Sequence, residues 1–192
     1  MKRKSGCLRL VLIILLSVFL LYFMVGNGKE KILKELYPIK FQEYVEYYAD
    51  EYNLDKYLVY SVIKVESNFD PHALSNANAR GLMQLMSKTA EECNQKGNFG
   101  YTIPADLYNS KKNIHLGCFY LSSLMDTYKD TELAITAYNG GTGNVSKWLD
   151  DKELTDGMGG LSDIPYSETK QYVKKVIRTY ELYNKLYKTD EI

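Results

Sequence analysis

Metal-binding side chains are scarce in this chain of 192 residues, which has 2 histidines, His72 and His115, and 3 cysteines, Cys7, Cys93 and Cys118. No Cys/His cluster has the spacing of a zinc site, so neither a metal nor another cofactor is expected. An excess of one charge is missing as well. The 24 basic residues balance 24 acidic ones, which removes the electrostatic basis for a nucleic-acid partner. There are no internal repeats or low-complexity tracts, and 45% hydrophobic with 25% charged residues is the composition of one folded domain rather than a disordered chain. Aromatic content is lopsided: 1 Trp and 6 Phe stand against 18 Tyr. A tyrosine ring can lie on a sugar face while its hydroxyl hydrogen-bonds, although many tyrosines simply pack between helices. Cys93 and Cys118 either pair outside the cell or fill apolar core, and sequence leaves both open. Cys7 is too near the start for a lipoprotein cleavage site, while acylation there is conceivable.

Lys2, Arg3, Lys4 and Arg9 precede an apolar run from Leu10 to Val25. This charge order is that of a signal sequence or of an anchor with its N-terminus inside and the following chain exported. The run is slightly short for a span, but Leu8 and the stems of Arg9 and Lys29 extend it. Val25-Gly26-Asn27-Gly28 lacks a small-x-small cleavage pattern, which favours retention as a transmembrane anchor. The expected organisation is an anchor over 1–28, a tether over 29–40 and a globular domain over 41–192.

The globular part has no convincing alternating strand and reads as all-α. Asp55 is a cap for a helix running to about Glu66, with Pro71 at its exit. Further helices are expected over Leu82 to about Gln95, after a Ser110 cap with an Ile114, Cys118, Leu121, Met125 stripe, and after a Thr131 cap to a stop at Gly140 and Gly141. Ser167 is the expected cap of a long last helix that turns Val173, Val176, Ile177 and Tyr180 inward. The Gly- and Asp-rich stretch Asp150 to Ser162 is expected to be a loop beside a groove.

On the first of these helices, Leu58, Val59, Val62 and Ile63 form the inward face, and the same i, i+3, i+4 series reaches Glu66. Desolvation on that face and the negative helix C-terminus both raise a carboxyl pKa, which suits Glu66 to stay protonated near neutrality and donate to a leaving-group oxygen. A glutamate at a helix end that merely reaches solvent would give the same pattern.

Five motifs decide between these readings. They are Glu66-Ser67-Asn68-Phe69-Asp70-Pro71 with Ser75, Gly81-Leu82-Met83-Gln84-Leu85-Met86, Asn113-Ile114-His115-Leu116-Gly117 with Tyr120-Leu121, Ala137-Tyr138-Asn139-Gly140-Gly141, and Pro165 to Val173. In this order the chain, from about Tyr44 to Tyr187, resembles the catalytic domain of soluble-type lytic transglycosylases, relatives of goose-type lysozyme. Thr142 stands where that family usually has proline, and the stretch Asn94 to Tyr108 is irregular.

The resemblance implies a lysozyme-like helical domain with a substrate groove and peptidoglycan as partner. It implies that Glu66 protonates the glycosidic oxygen between N-acetylmuramic acid and N-acetylglucosamine and then acts as base. Ser75, Gln84 and Met86 would line the groove, Tyr138 and Asn139 would hold the sugar, and Glu168 and Tyr172 would reach it from the last helix. Packing or turn roles are the alternatives for Ser75, Met83, Met86 and Tyr138, and Gly81, Gly140 and Gly141 read as backbone devices. Ordinary glycosidases need two carboxylates. Asp70 reads as a turn cap and Glu168 as a binding residue, so one catalytic acid remains. In the family, the muramyl C6 hydroxyl then attacks C1 and leaves a 1,6-anhydro end. A hydrolase with water in place of that hydroxyl, and a non-catalytic wall-binding scaffold, are the competing readings.

Overall fold

The computed structural model describes residues 12–17, 28–157 and 159–188. The chain divides into two units, Met1–Pro38 and Ile39–Ile192. In the first, residues 12–17 and 28–36 are helical, the latter being α1. Leu12 to Leu16 are exposed. The rest of the expected Leu10–Val25 span lies outside the described residues, and among the described residues no helix is long and apolar enough to cross a membrane.

The second unit consists of α2 (Gln42–Glu51), α3 (Lys56–Ser67), α4 (Ser87–Gly97), a 3-10 turn (Ala105–Tyr108), α5 (Ser110–Tyr128), α6 (Thr131–Gly140), α7 (Thr142–Asp150) and α8 (Ser167–Tyr187). Among the described residues β-structure is limited to isolated bridges such as Leu74 with Arg80 and Arg80 with Leu85. The all-α expectation holds.

Two helices carry the architecture. In α3 every residue from Tyr57 to Ile63 is buried, so the expected stripe is a helix enclosed on all sides. Val59, Val62 and Ile63 are fully buried, worth about 1.5–3 kcal/mol each. Asp55 caps α3, accepting from the Tyr57 backbone N–H at 2.8 Å, and its other oxygen accepts from the Tyr180 hydroxyl at 2.8 Å, which joins the start of α3 to α8. The buried face of α8 is Tyr172, Val173, Val176, Thr179, Tyr183 and Leu186, whereas Ile177 and Tyr180 sit half-buried at its border. The second pillar, α5, buries Asn113 to Cys118, then Leu121 and Leu124. Cys93 and Cys118 are both free and buried, the apolar-filler alternative.

Several expected boundaries shift for identifiable reasons. The helix expected from Leu82 begins only at Ser87, because Gly81 (φ 76) and Gln84 (φ 47) hold left-handed backbone that a helix cannot contain. The cap of α5 is Asn109 rather than Ser110, accepting from Lys112 N at 3.1 Å, and that of α6 is Asp130 rather than Thr131, accepting from Leu133 N at 2.8 Å. Helix α8 starts after Tyr166 without a side-chain cap. Gly141 (φ 82, ψ 141) closes α6 and opens α7, a helix whose buried residues are Val145 and Trp148.

Candidate active site

The site is organised by residues 80–83, whose four consecutive carbonyls each accept a hydrogen bond from a side chain. Asn113 Nδ2 donates to Arg80 O at 3.0 Å, Gln84 Nε2 to Gly81 O at 2.9 Å, Ser67 Oγ to Leu82 O at 2.8 Å and Tyr138 Oη to Met83 O at 2.8 Å. The donors come from α5, the turn itself, α3 and α6, so this turn is the junction at which the helices meet. Asn113, fully buried, also accepts from Met83 N at 2.8 Å and donates to Leu107 O at 2.9 Å, which uses both amide hydrogens and the oxygen. Glycine is required at two points here. A side chain on Gly81 would collide with the Leu107 carbonyl and the Asn113 amide, and one on Gly117 with the Met83 sulfur.

Glu66 occupies the last turn of α3, one residue before Ser67 ties that helix end to the junction. Its side chain is half-buried, open enough to be touched from solvent. Tyr172, buried on α8, donates its hydroxyl to Glu66 Oε1 at 2.7 Å. Burial raises the Glu66 pKa from 4.5 to about 7, and the Tyr172 hydrogen bond opposes that rise. Tyr172 and Tyr138 are both pushed far above the ordinary tyrosine range, first by burial and then by the nearby Glu66 charge. The two tyrosines and the glutamate therefore form one electrostatic cluster, with the Tyr120 ring 5.3 Å from that of Tyr138.

The other expected residues divide. Gln84 is half-buried, and its amide nitrogen is spent on Gly81 O and on Ala73 O at 3.1 Å. Ser75 closes a turn, its hydroxyl accepting from Ala79 N at 3.0 Å. Met83 is fully buried and Met86 is 43% exposed. Asn139 is exposed near the end of α6. Glu168 is exposed in the first turn of α8, one turn before Tyr172 on the same helix face. The 150–162 loop lines a cavity of about 570 Å³ together with Leu133, Thr136 and Val173, between α6 and α8. Ser67, Asn113 and Tyr120 stand within the motifs, but their bonding and packing roles are not legible in the sequence. Ser67 sits beside the carboxylate in sequence, and its neighbourhood is the only signal that singles it out.

A helical domain with a desolvated carboxylic acid held by a buried tyrosine at a helix end is the class that fold and site define. A family model described as the Transglycosylase SLT domain matches residues 43–157, and the chain belongs to that family, with its all-helical lysozyme-like fold. It is 33% identical over 159 residues to a putative soluble lytic murein transglycosylase of Haemophilus influenzae, covering 80% of this chain and 26% of that one. It is 36% identical over 157 residues to a membrane-bound lytic murein transglycosylase C of Actinobacillus pleuropneumoniae, covering 70% and 43%. Among solved structures it is similar to an inactive Glu→Gln mutant of the lytic transglycosylase Slt from Pseudomonas aeruginosa, with TM-score 0.72, 30% identity, and coverage of 80% of this chain and 25% of that one. The chain thus spans about a quarter of the first relative's length and less than half of the second's.

Proposed function

We propose that the chain is a peptidoglycan lytic transglycosylase that cleaves the β-1,4 bond between N-acetylmuramic acid and N-acetylglucosamine, with residues 41–192 as the catalytic domain. The observation that carries this reading is Glu66: a half-buried carboxyl at a helix end, its pKa raised to about 7, with a tyrosine hydroxyl fixing one oxygen. A carboxyl with that pKa is protonated often enough near neutrality to give a proton and ionised readily enough to take one back.

Protonated Glu66 donates to the glycosidic oxygen as the C1–O bond breaks and the N-acetylglucosamine hydroxyl leaves. The carboxylate then removes the proton of the muramyl C6 hydroxyl, whose oxygen bonds to C1 of the same sugar. The product carries a 1,6-anhydro ring, Glu66 regains its proton and no water is consumed. Intramolecular attack has a high effective molarity, which offsets the lack of a second protein carboxylate. Support for the single-acid scheme comes from the cause of the pKa shift, which is burial rather than a neighbouring carboxylate. Tyr172 steadies the carboxylate oxygen that it contacts. Tyr138 and Asn139 hold the sugar, Ser75, Gln84 and Met86 line the groove around the bond, and Glu168 and Tyr172 bind from α8.

The basic residues Lys2, Arg3, Lys4 and Arg9 before the apolar run, and the membrane-bound relative, support an N-terminal single-pass anchor with the catalytic domain extracytoplasmic. Glu66→Gln is expected to fold, to bind purified sacculi and to release no soluble fragments. Release at the wild-type rate by this variant overturns the proposal.

A further inference from the structure

On the side of α5 away from the catalytic junction lies a second cleft. Asn113 and Gly117 face the 80–83 turn, whereas His115 is about 200° around the helix from Asn113 and faces α2. Two adjoining cavities of about 440 and 750 Å³ open there and share Tyr44 and Lys111 in their walls. Both sizes fall within the range of small-ligand sites.

The floor is rigid. The two ring nitrogens of His115 hydrogen-bond the hydroxyls of Tyr52 at 2.6 Å and Tyr101 at 2.7 Å, and the Tyr48 ring stacks on the imidazole at 4.3 Å with planes 13° apart. Above it Tyr47 is 61% exposed and meets Tyr48 edge-on at 5.0 Å, while Tyr44 is half-buried. The left-handed backbone of Phe41 (φ 56) at the start of α2 adds a ring to the wall. Glu43 and Glu51 border one cavity and Lys111 borders both.

No aliphatic side chain lines either cavity. That composition decides among occupants. A protein-docking patch has a core depleted of charge, and an anionic lipid surface needs an unopposed cluster of Lys and Arg, whereas here Glu43 and Glu51 stand with Lys111 and Lys112 around aromatic rings. Tyrosine faces present negative quadrupole to the electropositive C–H face of a β-linked sugar, and the rim supplies donors and acceptors for hydroxyl and N-acetyl groups. The exposed Lys111 is suited to a muramyl lactyl or stem-peptide carboxylate.

We propose that this tyrosine cleft is a second glycan-binding site, which holds a peptidoglycan strand that is not being cleaved and so keeps the enzyme on its insoluble substrate. The inference rests on the glycan-cleaving reading of the Glu66 groove. To separate the two, binding is measured with the full chain carrying Glu66→Gln, with and without Tyr44→Ala and Tyr47→Ala, against purified sacculi. Turnover is measured in the Glu66 form on a short soluble muropeptide oligomer. The tyrosine pair is expected to weaken sacculus binding about fivefold or more and leave turnover of the soluble oligomer unchanged. Tyr47→Phe, which keeps the ring, is expected to bind as the parent does. Chitohexaose is expected to shift the backbone amides of Tyr47 and Lys111 at a concentration distinct from that affecting Tyr138 and Tyr172. Unchanged sacculus binding by the double variant, or no shift at Tyr47 and Lys111, overturns the second site while leaving the Glu66 reading intact. Absence of turnover in the wild-type chain counts against Glu66 catalysis and leaves the binding comparison interpretable.

Discussion

Replacing Glu66 by glutamine should stabilise the protein above neutral pH, and by an amount that the site itself sets. In the unfolded chain the carboxyl titrates near its ordinary 4.5; in the folded protein burial raises it to about 7. Below 4.5 both states hold the proton and stability is insensitive to this group. Between 4.5 and 7 the unfolded state releases the proton while the folded state retains it, so stability falls as pH rises. Above 7 the fold bears the full cost of a desolvated charge, about 3 kcal/mol as an upper figure. Glutamine has nearly the same shape, keeps an oxygen for the Tyr172 hydroxyl at 2.7 Å and carries no charge. Urea unfolding of both proteins at pH 4, 6 and 8 therefore has a defined pattern. The two are expected to have similar stability at pH 4, with the glutamine variant gaining progressively and leading by about 2–3 kcal/mol at pH 8. A constant difference across this range, or a variant less stable at pH 8, would refute the claim that burial raises this carboxyl.

Three further outcomes follow from the same geometry. Tyr172→Phe removes the hydrogen bond that favours ionised Glu66, so the high-pH fall of fragment release should move to higher pH, with a turnover loss of about tenfold; an unmoved limb would mean that the contact has no electrostatic role. Asn113→Ala leaves Leu107 O and Met83 N without their Asn113 partner, while Arg80 O keeps the Leu85 backbone N–H at 3.1 Å, and should cost about 3 kcal/mol in urea unfolding, together with loss of activity as the 80–83 turn loosens. Tyr60 is fully buried with a hydroxyl that has no hydrogen-bond partner among the described residues, so Tyr60→Phe should leave stability unchanged or raise it by up to about 1 kcal/mol in thermal unfolding.

The residues that could be read from the sequence were those whose role is expressed in local pattern. Glu66 was reached by continuing the Leu58, Val59, Val62, Ile63 series, and Asp55 by its position before an apolar run. The segment from Leu82 to Leu85 misled because three of its four residues are buried, which imitates a helix face, while the left-handed Gly81 and Gln84 that forbid a helix leave no hydrophobic signature. Asn109 and Asp130 displaced Ser110 and Thr131 as caps by one residue, a difference decided by which side chain reaches the free backbone N–H groups. The bonding role of Asn113, a residue of the third motif, is hidden in the sequence for a different reason. Its partners, Arg80 and Met83, lie 33 and 30 residues away, and a polar residue inside a helix looks solvent-facing until tertiary packing encloses it. The Tyr172 contact to Glu66 spans 106 residues; family likeness points Tyr172 at the sugar, and neither it nor spacing pairs that hydroxyl with the carboxyl.

The central claim, a self-attacking cleavage run by Glu66, is tested most directly by digesting purified peptidoglycan with the protein and weighing the released muropeptides. The account predicts 1,6-anhydromuramyl ends, lighter by one water than reducing ends, and their disappearance in Glu66→Gln. Reducing ends alone would contradict it and make water, rather than the C6 hydroxyl, the attacking group.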